Sequence, residues 1–169
     1  MKKLIISILI LSLFCLGKAC NSEKAKKTFR TASESSAKIT IYGEKLIQAN
    51  INALEAKEIS PVTFQKLTRT TGFFVRGAAV YERALEETEN LIKQRGGEIP
   101  PATLENLSKI FNEQVVSKFF DILREFDALS AEQSEYAKTI LAGIRLAILA
   151  IQDAFAAARD LGGQNYGVV

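Results

Sequence analysis

The chain has 169 residues, 47% of them hydrophobic and 24% charged, with 22 basic against 19 acidic side chains, two cysteines and no histidine or tryptophan. That length suits one domain with an ordinary core. Without histidine there is no Ser-His-Asp or Cys-His catalysis, no His-ligated haem, and none of the usual zinc, non-haem iron or di-iron ligand sets. Two cysteines build neither a Cys-rich metal centre nor a disulfide framework. The expectation is a protein that is not an enzyme and carries no metal or other cofactor.

The N-terminal residues read as an address. Lys2 and Lys3 form a positive start, and Leu4 to Leu16 is an uncharged run dominated by Leu and Ile. Such a run has the length of a signal-peptide core and is shorter than the roughly 20 residues that cross a bilayer. Gly17 and Ala19 supply small residues before Cys20, and Asn21-Ser22-Glu23 is a polar start for a mature chain.

These residues resemble the signal region of a bacterial lipoprotein precursor. The resemblance covers the signal region alone. It implies cleavage after Ala19, a diacylglyceryl thioether on Cys20, and attachment of the chain to the membrane through that lipid. Gly17 and Lys18 stand where the family's motif prefers Leu and a small uncharged residue, and Leu16 lies one position early. Unlipidated cleavage at the same bond would leave a lone thiol at the N-terminus of an exported chain, a second reason to favour the thioether. Residues 1–19 are thus read as signal peptide, 20–23 as a tether, 24–161 as the folded domain and 162–169 as a flexible tail. The place is the bacterial cell envelope, on the periplasmic or surface side.

Cleavage changes the charge. Of 22 basic residues Lys2, Lys3 and Lys18 leave with the signal, so 19 remain against 19 acidic ones. A neutral mature chain gives no ground for nucleic-acid binding. The cluster Lys24, Lys26, Lys27 and Arg30, bracketed by Glu23 and Glu34, reads as a solvated helix start.

No segment alternates apolar and polar residues, whereas four show helical spacing. The first, 24–56, places Ile39, Tyr42, Leu46, Ala49 and Ala53 on one face. The second, 61–95, carries Phe64, Leu67, Thr71, Phe74, Ala78, Tyr81, Leu85 and Leu91. The third, 101–127, carries Leu104, Leu107, Phe111, Val115, Phe119, Ile122 and Phe126. The fourth, 131–160, carries Tyr136, Ile140, Ile144, Ala147, Ile151, Ala154 and Ala158. Ser60 before Pro61, and Ser130 with Gln133, read as helix starts; Gly96-Gly97 and Gly162-Gly163 read as stops. Glu34/Lys38, Glu89/Lys93 and Glu105/Lys109 are spaced for surface ion pairs. Helices of this length with short turns predict an all-α, antiparallel four-helix bundle.

Glu58 to Arg69 and Glu98 to Lys109 match at five positions forty residues apart. Ile59 with Phe64, and Ile99 with Leu104, fall at N′ and N4 of a proline-initiated helix. The similarity therefore reads as shared helix-start chemistry, a hydrophobic staple, rather than a repeat array.

Little here carries chemistry. Glu82, Glu86, Glu87 and Glu89 lie on a charged, solvated segment, and no Gly-rich loop follows a strand. Arg76 interrupts the apolar stretch Gly72 to Val80, and Arg145 interrupts Ile140 to Ile151. Each stretch is apolar nearly all round and holds a glycine that allows close backbone approach. The surplus apolar surface points to a non-enzymatic interaction or structural role, with an envelope protein or a second copy as partner. The competing expectation is an exported small-ligand binder or sensor with a pocket near Arg76 and Arg145. A spanning role for residues 139–151 is excluded by their length and by Arg145.

Overall fold

The computed structural model describes residues 2–95 and 100–163, and side chains for residues 23, 26–95, 100 and 102–158. Four helices form an all-α bundle, and the described residues contain no strand. Helix α1 runs Lys2–Glu55 and α2 runs Pro61–Gln94. Helix α3 (101–127) joins Pro101–Phe111 to Ser117–Asp127 through a π-helical turn, Asn112–Val116. Helix α4 (131–163) starts as Ala131–Ser134, tightens to a 3₁₀ turn at Glu135–Ala137 and continues as Lys138–Gly163.

The helix boundaries have local causes. At the end of α1, Glu58 N–H donates to the Ala53 carbonyl at 2.9 Å and Lys57 N–H to Leu54 at 3.0 Å. This Schellman arrangement requires the left-handed backbone that Lys57 adopts, at φ 61°. Ser60 caps α2 through Thr63 N–H at 3.1 Å, with Pro61 in the first turn. Ile59 is buried and Phe64 packs on the core, as a staple requires. The second staple cannot be compared, because Ile99 lies outside the described residues, as do Gly96 and Gly97. Ser130 and Gln133 form a reciprocal capping box. Helix α4 continues through Gly162 and Gly163, two residues beyond the boundary expected at 161; the rest of the expected tail, 164–169, is not described.

Helix α1 packs between α2 and α4. Antiparallel alignment with α4 is fixed at both ends: Thr28 donates to the Ala154 carbonyl at 3.4 Å, and Tyr136 donates to Asn50 Oδ1 at 2.7 Å. Between them the Tyr42 ring lies on Gly143, where any Cβ would come within 2.6 Å of it. Helices α2 and α3 meet through layered rings, Phe74 on Phe119 at 6.1 Å and Tyr81 on Phe111 at 4.9 Å. Lys66 pairs with Glu125 across the same seam at 2.5 Å. Phe126 meets the Tyr136 ring edge-on at 6.1 Å, where α3 turns into α4.

The buried residues of α2, from Leu67 through Thr71, Phe74, Ala78, Tyr81, Leu85 and Thr88 to Ile92, alternate steps of four and three. That is the seam of left-handed, coiled-coil-like packing. Helix α3 departs from it: Leu107, Phe111, Val115 and Phe119 are buried at three successive steps of four. In a regular helix such a row drifts by ~40° at each step. The π turn holds one residue more than an α turn and returns the row to the core. Its backbone swells toward α2, and Gly77 stands opposite. A Cβ on Gly77 would come within 1.9 Å of the Gln114 carbonyl oxygen.

Candidate interaction surface

Arg76 and Arg145 are both exposed. They project from α2 and α4, which lie on opposite sides of α1, and the structure does not bring them together. Each stands among large apolar side chains that the bundle leaves uncovered. Phe73 is 45% exposed and Val80 49% beside Arg76, while Leu146 is 68% and Leu149 43% beside Arg145. The surplus apolar character of both stretches is thus surface. The core takes only one stripe of each helix: Phe74, Ala78 and Tyr81 on α2, and Ile144, Ile148 and Ile151 on α4. Residues 131–158 are long and apolar enough to cross a membrane by length and composition. In the bundle that segment packs its buried stripe into the core.

Helix α2 carries a row that extends the Arg76 position. Arg69, Arg76 and Arg83 recur every seven residues, and all three are exposed. Seven residues are nearly two turns, so the three side chains line up along one edge. Phe73 and Val80, also seven apart, form the neighbouring row. The Arg69 and Arg76 guanidinium groups lie 5.7 Å and 5.3 Å from the centre of the Phe73 ring, one on each side in sequence. That contact is cation–π attraction and lays the arginine stems along the ring. None of the three arginines pairs with a carboxylate among the described residues. The sequence signal for Arg69 and Arg83 is their seven-residue spacing from Arg76, which the apolar stretches around Arg76 and Arg145 do not contain.

Of the surface pairs expected from spacing, Glu89–Lys93 forms at 2.9 Å. Glu34 turns instead to Arg30 at 2.8 Å, and that hydrogen bond with its charge holds the Glu34 carboxyl below its ordinary range. Glu105 and Lys109 do not pair. The carboxylates Glu82, Glu86 and Glu87 have no cation partner either, and no group of three potential ligands converges among the described residues.

An open cleft of about 340 Å³ lies between the C-terminal half of α2 and the start of α3, lined by Ala84, Thr88 and Leu91 on one side and Thr103, Asn106 and Leu107 on the other. Leu91, expected in the core, is 51% exposed and borders this cleft; Ile92 occupies the core position instead. The alternation of four and three from Leu85 through Thr88 leads to 92, not 91. Neither Arg76 nor Arg145 lines the cleft.

Cys20 and Ala19 lie within the span of α1, and their side chains are outside the described residues. No family model, curated protein or solved structure matches this chain.

Proposed function

We propose that this protein is a non-enzymatic, lipid-anchored helical bundle of the bacterial cell envelope that works by binding another protein or itself. The observation that carries the interaction role is the exposed α2 face, where unpaired arginines alternate with Phe73 and Val80. Large apolar groups ringed by charge are expensive to leave in water, and faces of this kind mark association surfaces. The anchor rests on the sequence: the charged start, the apolar run, the small residues Gly17 and Ala19, and Cys20 after them. Attachment to a membrane holds copies at high local concentration, so a face of modest area suffices for association.

Cell fractionation tests the anchor. With Cys20 intact the processed chain sediments with membranes, and Cys20→Ala moves the chain to the soluble envelope fraction or leaves it as uncleaved precursor. A processed Cys20→Ala chain that stays with the membrane removes the lipid from the account.

A further inference from the structure

We propose that the α2 face pairs with the same face of a second copy, antiparallel, about a two-fold axis at the level of residue 78. This rests on the reading of the chain as an interaction protein and names its partner. The argument is charge order along one helix. Lys66, Arg69, Arg76 and Arg83 occupy its first two thirds, and Glu86, Glu87 and Glu89 follow, with half-buried Glu82 among them. Lys66 is already committed to Glu125, and Glu89 to Lys93. The groups left without an ion-pair partner among the described residues are Arg69, Arg76 and Arg83 on one side and Glu82, Glu86 and Glu87 on the other. A helix that is basic first and acidic later complements itself when reversed.

The two rows fix the register. Residues 69 and 87 lie nine positions on either side of 78, ~13 Å along the axis. Reversal about that level sets Arg69 against the partner's Glu87. Residues 73 and 83 lie five positions on either side, so Phe73 receives the partner's Arg83, the one arginine of the row with no ring of its own chain. Residues 76 and 80 lie two positions away, and the Arg76 stem covers the partner's Val80. Each contact occurs twice, as a closed two-fold interface demands. An anionic bilayer would meet Arg69, Arg76 and Arg83, but the same approach presses Glu86 and Glu87 against its headgroups. The second copy satisfies both signs. One helix pair buries less than a standard interface, so the association is weak in solution and salt-sensitive.

Sedimentation velocity on the full-length protein in a mild non-ionic detergent, across a hundredfold concentration range, tests the pairing. The wild type is expected to pass from monomer to dimer, with the midpoint moving to higher concentration as salt is raised. Arg69→Glu and Glu87→Arg each weaken the dimer at least tenfold, and the double exchange restores it to within about threefold. These side chains are exposed, so circular dichroism and melting of each variant, taken at concentrations below the dimer midpoint, stay unchanged. A wild type that is monomeric at every concentration overturns the proposal and leaves the face to an acidic partner or a lipid surface, whether or not Cys20 anchors the chain. A double exchange that fails to restore the dimer overturns the register and the proposal with it.

Discussion

Tyr81 is fully buried and Tyr136 half-buried, and removing the hydroxyl from each has opposite consequences. Tyr136 donates to the Oδ1 of Asn50, which is fully buried and whose amide nitrogen has no hydrogen-bond partner among the described residues. Tyr136→Phe leaves both ends of that amide unpaired, and a buried unsatisfied polar group costs about 1–3 kcal/mol. Adding Asn50→Leu removes the orphan and recovers most of the loss, which urea denaturation of the two variants measures. The Tyr81 hydroxyl has no hydrogen-bond partner among the described residues, and the side chain is fully buried. Tyr81→Phe therefore holds or raises stability. The same two groups set an alkaline limit. Burial, helped by the charge of Glu58, pushes the Tyr136 hydroxyl up to about 12, and burial alone pushes Tyr81 up as well. The unfolded chain releases these protons near pH ~10 while the folded chain keeps them. Their contribution is complete below that pH and is lost as pH rises through the folded values. The urea midpoint is expected to fall between pH 10 and 12, less steeply in Tyr81→Phe; an unchanged slope in that variant would deny Tyr81 its share.

At the scale of the element, the swelling of α3 and the glycine opposite it form one device. Gly72 and Gly77 stand on the same helix, five residues apart, and an alanine at each meets different surroundings. At Gly72 nothing lies within 4 Å of the added Cβ, so Gly72→Ala gains the usual helix propensity of about 1 kcal/mol. At Gly77 the Cβ meets the Gln114 carbonyl oxygen, a backbone atom that cannot swing away. The helices must part there, and overpacking of this kind costs about 1–3 kcal/mol. Thermal melts should move in opposite directions; a rise in both would mean that the π turn does not press on α2. This device was half legible. The run Leu107, Phe111, Val115, Phe119, three steps of four, signals an extra residue in α3, and a glycine within Gly72 to Val80 allows close backbone approach. What sequence could not supply is that the two face each other, because that depends on how α2 and α3 align across the turn between them. The exposure of Leu91 has a related origin: spacing alone puts Leu91 on the apolar face, whereas the buried alternation through Leu85 and Thr88 continues to Ile92.

For the whole molecule, the four-helix architecture followed from the apolar periods and from caps such as Ser60 and Ser130, which are local chemistry. The interaction surface did not follow so directly. Arg76 and Arg145 interrupt apolar stretches, a signal that marks the exposed faces but not their geometry: the arginines sit on different sides of α1, and the row Arg69, Arg76, Arg83 is the organised feature. Cleavage after Ala19 would shorten α1 without touching its described packing, since Thr28 and Phe29 are the first buried residues described on that helix. The central claim, a bundle held to a membrane by lipid at its N-terminus, is tested most directly by the intact mass of the protein extracted from bacterial membranes. The account predicts a chain that begins at Cys20 and carries a covalent diacylglyceryl group. A chain that retains residues 1–19, or one that begins at Cys20 with a free thiol, would contradict it.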